Sequence, residues 1–412
     1  MVNRPPTTTL IIVGNSPGEV AGWAVPVAAE ARRLASSGGW SIETVLCLPP
    51  CQFASGQESA AAEAAGVFDR IMNPRATLLL ALGLPGWTPA GTPVVLHVGG
   101  DFWFSRRLAR RWGGRAFAFV ERAHISRAHR GFERIFVPTR ALRERLIGLG
   151  VPDHKIEVAG DPLQDAVLAD GAPAEAHGAD DARPKVVFLA GSRDSVFSAV
   201  FPFWTETAAA LRARVPEARL LAVISPFVSP QVRRTLLSRH QAGLDAAGIE
   251  IRHGDRSSIR NADLALTIPG TNTLELALMR VPTLVVLPFS LAPQIPIEGV
   301  LEWLTRVPRL GLPLKLALVR RYISRRPYLA LPNMRAKRLI MPELVGDVTP
   351  EQVADEGARL IRDPAARHKL AEALDAISVE TGASRRILAA ILPGGSAVAV
   401  GGAAVARGGA GA

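Results

Sequence analysis

The residues able to do chemistry gather where short apolar runs give way to small-residue turns. One such place is Ile268 to Leu278, IPGTNTLELAL. A mostly apolar run, Ala262 to Ile268, stops at Pro269 and Gly270. Thr271, Asn272 and Thr273 follow, and Leu274, Leu276, Ala277 and Leu278 continue with helical spacing. The pattern predicts a strand, a tight turn and a helix. Small turn residues let a ligand approach the backbone, and the helix start offers unpaired N–H groups and the positive end of a dipole, which suits a phosphate. Glu275, in the first turns of that helix, can cap it or reach a sugar hydroxyl. The same residues also suit an ordinary helix cap.

Three further groups follow the same rule. Val186 to Leu189 runs into AGSRDS, where Ser192 and Arg193 can bind a phosphate through backbone N–H groups and a guanidinium, or form a plain surface turn. Thr9 to Val13 runs into GNSPG and then Glu19, a carboxylate at a helix start; the spacing is not GxGxxG, so no dinucleotide site is assigned. Thr92 to Val98 leads to HVGGDFW, where Asp101 is either a general base or the cap of a helix from Phe102 to Trp112. Cys47 and Cys51, the two cysteines, stand in CLPPC without a nearby histidine, which excludes a disulfide framework and disfavours a metal site.

Placing these groups requires alternating strands and helices. Strand-like runs recur at Thr9–Val13, Ser41–Leu48, Ala116–Val120, Arg134–Val137 and Lys155–Gly160. They resume at Val186–Leu189, Arg219–Ile224, Glu250–His253, Ala262–Ile268 and Thr283–Leu287, with helical patterns between them. Ala76–Leu82 and Thr92–Val98 are apolar segments of the same first half. The alternation predicts an α/β fold of two doubly wound, Rossmann-like parallel sheets facing across a cleft. The polar stretch Gly171 to Pro184 separates them. The expected domains are therefore residues 1–170, residues 185–345, helices over 349–392 that cross back, and a flexible tail at 393–412. Thr349, Pro350 and Gln352 form a capping-box pattern at the start of the C-terminal helices.

Composition narrows the class. In 412 residues, 48% are apolar, enough for two sizeable cores. The long uncharged stretches are broken by proline, so none suits a membrane span, and the N-terminus does not read as a signal peptide; a cytoplasmic protein is expected. The net charge of +11 is concentrated. From Trp303 to Pro342 there is no acidic residue, while Arg306, Arg309, Lys315, Arg320 and Arg321 lead a run of ten positive charges. Leucines, Trp303 and Tyr322 interleave with them, which suits an anionic membrane surface or a basic solvated helix packed by its leucines. Stacking aromatics are few and no nucleic-acid motif is present, which argues against nucleic acid.

Taken in order, GEVAGW, GDF, AGSR, PGTNTLELAL and LPN…PEL…TPEQ resemble the bacterial lipid-A-disaccharide synthase family, GT-B glycosyltransferases that join two acylated glucosamine units at the membrane surface. The corresponding family elements are GE-x-SGD, PDFN, LPGSR, SGTATLE, and LPN followed by PELLQ. The resemblance spans roughly residues 10 to 390 and is more specific in the C-terminal half. It implies a metal-independent, inverting transferase that needs no cofactor and takes a UDP-sugar as co-substrate. Ser192 and Arg193 would contact the donor diphosphate or sugar. Gly270, Thr271, Asn272 and Thr273 would cradle the diphosphate, and Glu275 would hold the ribose or sugar. Asn333 and Arg338 would line the donor pocket. A lipid-linked sugar acceptor and a peripheral position on the inner face of the membrane also follow from the resemblance. Three positions depart from it: Val98 stands where the family has an aspartate, Trp23 matches the last residue of SGD, and Gly346 matches the glutamine of PELLQ. Asp101, with Glu19 second, is then the candidate base. A soluble nucleotide-sugar enzyme such as an epimerase, and a non-catalytic protein binding anionic membranes, are the alternatives.

Overall fold

The computed structural model describes residues 7–37, 40–51, 54–123, 125–169, 183–254, 256–294, 320–321, 325 and 327–393. The chain separates into two compact units, Met1–Ala166 with Val379–Ala412, and Val167–Ser378.

The first unit carries a seven-stranded sheet in the order β3-β2-β1-β4-β5-β6-β7, parallel at every pairing. Its strands are β1 (Thr8–Val13), β2 (Ile42–Cys47), β3 (Arg70–Met72), β4 (Val94–His97), β5 (Arg115–Phe119), β6 (Arg134–Val137) and β7 (Ile156–Val158). Ile11, Val13, Val45 and Val95 form one core with Leu80 and Leu108, while Leu10, Ile12, Leu46 and Leu96 are equally buried. Burial of both faces explains why these strands read as continuous apolar runs. The crossovers are α1 (Pro17–Glu19), a π turn (Val20–Ala24) continuing into α2 (Val25–Ser36), α3 (Glu58–Ala65), α4 (Pro74–Ala81), α5 (Phe102–Arg111), α6 (Arg140–Gly148) and α7 (Pro162–Ala169). The apolar segment Ala76–Leu82 therefore lies mostly in a helix, started by Asn73, whose side chain accepts from the Ala76 N–H.

The second unit carries a six-stranded sheet in the order β10-β9-β8-β11-β12-β13, again all parallel. Its strands are β8 (Lys185–Leu189), β9 (Arg219–Ile224), β10 (Ile249–His253), β11 (Leu264–Thr267), β12 (Thr283–Pro288) and β13 (Glu343–Gly346). The helices are α8 (Asp194–Arg214), α9 (Pro230–Ala247), α10 (Thr271–Leu278), α11 (Leu331–Ala336), α12 (Pro350–Arg362) and α13 (Pro364–Ala373). The capping box at Thr349 is formed: Gln352 N–H donates to Thr349 Oγ1 at 3.3 Å, and Thr349 N–H donates to Gln352 Oε1 at 3.0 Å.

Only part of the C-terminal helical region crosses back. Val353, Ala358 and Ile361 of α12 join the core built on Phe197, Trp204 and Leu211 of α8, so α12 stays with the second unit. The return to the first unit is made by α14 (Ala383–Ile391), which packs on α2. Its entry is fixed by α7. Asp165 accepts from Gly382 N–H at 2.6 Å and from Ser384 N–H at 2.7 Å, and Gln164 exchanges two hydrogen bonds with the Val379 peptide. The unit boundary falls at Ala166, just before the polar stretch 171–184, most of which lies outside the described residues, as does the tail from 394. Because Asp165 caps α14 across the sequence, Asp165→Ala should lower unfolding stability by about 1–2 kcal/mol, in the range of a lost N-cap. Urea unfolding, with limited proteolysis of the last helix, checks this.

Candidate functional site

In each sheet the strand order reverses once, between β1 and β4 and between β8 and β11. At such a point the two following loops diverge to opposite sides and open a crevice at the carboxyl ends of the strands, where ligands of open α/β sheets bind. The sequence-derived motifs fall on these points: Gly14–Glu19 after β1, Val98–Asp101 after β4, Ala190–Arg193 after β8 and Ile268–Thr273 after β11.

In the first unit the two loops are locked by Glu19. Its Oε2 accepts the N–H groups of Asn15 at 2.8 Å and Ser16 at 3.1 Å. Gly99 lies directly against it: a Cβ there would come within 1.9 Å of Glu19 Cδ. Burial raises the Glu19 pKa, and the backbone N–H groups of Asn15, Ser16 and Gly100 oppose that shift. Asp101 is placed differently. It is exposed, and its Oδ1 caps α5 by accepting Trp103 N–H at 2.7 Å. Among the described residues its Oδ2 carries no hydrogen bond, so Asp101 caps a helix and still keeps an oxygen open to a proton. At the end of β4, buried His97 meets Ser105 Oγ at 2.9 Å through Nδ1.

The departures from the family pattern are apolar in structure as well as in sequence. Val98 is buried; the Cβ that Gly14 lacks would lie 2.9 Å from Val98 Cγ2. Trp23 is core, with its Nε1–H donating to buried Asp161 at 3.2 Å and its ring 5.6 Å from that of Phe119. Gly346 ends β13 with φ 130°.

In the second unit, Gly191 has φ 91°, and a Cβ there would meet Val196 at 3.0 Å and Ile268 at 3.3 Å. The loop carrying Ser192 and Arg193 thus abuts the start of the Ile268–Thr273 turn. Ser192 and Arg193 are both half-buried, and Arg193 is the N-cap residue of α8. Gly270 is the N-cap of α10 with an extended backbone, so Thr271 and Asn272 open the helix and have no carbonyl four residues back within it. Asn272 Nδ2 is tied to Thr267 Oγ1, and Thr273 is buried with its hydroxyl on Gly270 O at 2.7 Å. Thr273 therefore shapes the turn from below rather than offering a side chain to a ligand. Glu275 is ion-paired with Arg256, a residue that the sequence reading did not single out.

Asn333 is a correction. It is fully buried, and its amide is saturated: Oδ1 accepts the N–H groups of Ile340 and Met341, each at 2.8 Å, and Nδ2 donates to Met341 O and Glu343 Oε1 at 2.8 and 2.7 Å. With two donors and two lone pairs used, it staples α11 to β13 and has nothing left for a donor sugar. Arg338 is exposed just beyond it. Of the residues read as facing a membrane, Trp303, Arg306, Arg309 and Lys315 lie outside the described residues. Arg320 and Arg321 are exposed, with the Arg320 guanidinium 5.2 Å from the Phe289 ring centroid.

A different surface was not anticipated. Leu78, Leu79, Leu82 and Leu84 at the end of α4 are exposed, Leu82 by 53%, and so is Trp103 on α5, by 42%. Arg107 Nε donates to Ala81 O at 2.9 Å, and Arg111 donates to Leu80 O and Leu84 O at 2.7 and 2.8 Å. These guanidinium groups satisfy the last carbonyls of α4 and set positive charge beside the leucines. Among the described residues, no three His, Cys, Asp or Glu side chains gather as a metal site, and no helix is long and apolar enough to cross a membrane.

Two doubly wound parallel sheets on one chain, each with its glycine-bearing loops at the switch point, define a fold of the GT-B class. A family model described as lipid-A-disaccharide synthetase matches residues 155–291. Lipid-A-disaccharide synthase of Anaeromyxobacter dehalogenans is 30% identical over 231 residues, which cover 53% of this chain and 53% of that protein. The chain thus spans about half the length of the curated relatives it matches. The structure of S. aureus MnaA with UDP has a TM-score of 0.56 at 14% identity, covering 93% of this chain and 96% of that one. UDP-GlcNAc 2-epimerase from Neisseria meningitidis bound to UDP-GlcNAc has a TM-score of 0.52 at 12% identity, covering 92% and 98%. At these identities the two structures speak to the fold alone. The family model and the sequence match point to the same group of similar proteins, the lipid-A-disaccharide synthases.

The raised pKa of Glu19 has a signed consequence. The folded chain holds that proton more readily than the unfolded one. Its contribution to stability is therefore complete below the ordinary glutamate value and is lost as pH rises through the raised folded value. Relative to Glu19→Gln, the wild type should lose stability across that interval; unfolding free energies of the two, compared from about pH 4 to about pH 8, should diverge. A constant difference would contradict the assignment.

Proposed function

We propose that the chain is a glycosyltransferase that moves an acylated glucosamine, or a related amino sugar, from a UDP donor to a lipid-linked sugar acceptor at a membrane surface. The observation that carries the reading is the Gly270–Thr271–Asn272 opening of α10 at the β8/β11 switch point, closed on its other side by Gly191, Ser192 and Arg193. Two adjoining backbone turns, a guanidinium and a helix dipole make a site for a diphosphate without a metal ion. As the sugar leaves UDP, negative charge would grow on the diphosphate, and a helix N-terminus with a nearby guanidinium would stabilise it. Glu275, one turn further along α10, is at the right depth for the ribose.

For the acceptor hydroxyl, Asp101 is the proposed base. A base must reach the proton it removes, and Asp101 is exposed at a switch point with an uncommitted oxygen. Glu19 is assigned to holding the two loops, because it is less accessible than Asp101 and its Oε2 accepts two backbone N–H groups. The exposed leucines of α4, Trp103 and the flanking arginines of α5 favour a lipid acceptor over a soluble one, since apolar side chains ringed by guanidinium groups match an anionic bilayer. The basic stretch from Trp303 to Arg321 would add to that attraction. A cytoplasmic, peripheral location on the inner face of the membrane follows from the same reading.

Calorimetric titration with UDP tests the donor site. Saturable binding is expected in the wild type and its loss in Thr271→Glu, which sets a carboxylate where a phosphate would sit; no binding by the wild type would overturn the proposal. Asp101→Asn should reduce turnover by about a hundred- to ten-thousandfold at unchanged UDP affinity. The double variant Leu78→Glu/Leu82→Glu should no longer sediment with anionic vesicles, while keeping its UDP affinity. Retained sedimentation would remove this surface from the proposal.

A further inference from the structure

The connection from β10 to β11 is unusual in its task. β10 is the edge strand, and β9 and β8 stand between it and β11. The chain leaves β10 at His253, makes a short 3-10 turn at Arg256–Ser258 and enters β11 at Leu264. On the way, Arg256 reaches α10: its Nε donates to Glu275 Oε1. Both side chains are 24% exposed. The pairing engages one carboxylate oxygen, and among the described residues Glu275 Oε2 carries no hydrogen bond.

We infer that Arg256 is a positioning residue for donor recognition, holding Glu275 in place so that its open oxygen accepts the hydroxyls of the donor's ribose. This inference rests on the donor-site reading above. Glu275 is five residues past Gly270, which at the rise of an α-helix is about 7.5 Å along the axis. A nucleoside diphosphate whose phosphates sit at Thr271 and Asn272 brings its ribose to about that depth. At the fifth position the favourable effect of the helix N-terminus on an anion has largely faded, because it is confined to the first turn. The carboxylate there needs another source of order, and Arg256 supplies it. A carboxylate with one oxygen fixed and the other open is prepared to accept from a diol; left alone, it would lose side-chain freedom on binding, and that cost would reduce affinity. The planar guanidinium fixes a direction as well as a charge, which a lysine ammonium does not.

The test compares UDP with 2′,3′-dideoxy-UDP by calorimetry on the full chain, in wild type, Arg256→Ala, Arg256→Lys and Glu275→Gln. Wild type should prefer UDP by about tenfold or more, the scale of a hydrogen bond to a charged group. Arg256→Ala should erase that preference by weakening UDP alone, leaving dideoxy-UDP affinity and the unliganded melting temperature near wild type. Glu275→Gln should behave alike, and Arg256→Lys should recover part of the preference. If Arg256→Ala keeps the preference, or weakens both ligands equally, Arg256 does not act through the ribose and the inference falls. A wild type that binds both nucleotides equally well overturns the inference while leaving the donor site standing. A wild type that binds neither overturns both.

Discussion

The first unit depends on a carboxylate placed where carboxylates are costly. Glu19 joins the loop after β1 to the loop after β4 at the position where the two would otherwise part. Desolvation works against the ionised form, and the backbone N–H groups of Asn15, Ser16 and Gly100 work for it. The arrangement explains residues that look unrelated in sequence. Gly99 must be glycine because the Glu19 carboxyl occupies the place of its Cβ, and Gly14 leaves room for Val98. Asp101 then follows at a fixed offset and starts α5, so the geometry of the exposed carboxylate is inherited from the half-buried one.

The two carboxylates illustrate why accessibility, not acidity alone, decides a role. Asp101 spends one oxygen on Trp103 N–H and keeps the other. Glu19 is the less accessible of the two, and its Oε2 holds the backbone of the loop after β1. The second unit repeats the division. Asn333 is saturated by β13 and its approach, and Thr273 turns its hydroxyl back to Gly270 O, while Thr271 and Asn272 leave N–H groups at the head of α10. In each unit the less accessible polar group shapes a turn beside a more accessible neighbour.

The α/β alternation and the switch-point loops were legible because parallel strands buried on two faces appear as mostly apolar runs ending in glycine, as in Leu10–Gly14 and Leu264–Gly270. β3 and β13 were not. They are short edge strands, β13 is only half-buried along its length, and neither produces a run. Ala76–Leu82 is apolar but for Thr77, and only Asn73-Pro74 ahead of it signals a helix. Its exposed leucines were invisible as a surface, since a sequence does not say which apolar side chains a neighbour covers. Arg256 was hidden for a topological reason: nothing local links it to Glu275, and the pairing exists only because the β10–β11 connection passes two strands. Asn333 failed in the opposite direction, since a motif match cannot reveal that all four hydrogen bonds of an amide are already made.

Of the three departures from the family pattern, Val98 and Trp23 fall in the first unit and Gly346, at the end of β13, in the second. The match to the family model, residues 155–291, contains AGSR and PGTNTLE, the two turns that meet at the β8/β11 switch point. Val98 and Trp23 lie outside it, and both are buried apolar groups packed into the first unit. Replacing an aspartate by valine at the end of β4 removes a charge and also fills the space above Gly14, so the change could not be reversed by a side-chain rotation. Trp23 likewise gives its polar atom to Asp161 and its ring to the core. Asp101 is thus left with a buried apolar neighbour, Val98, three residues before it at the end of β4.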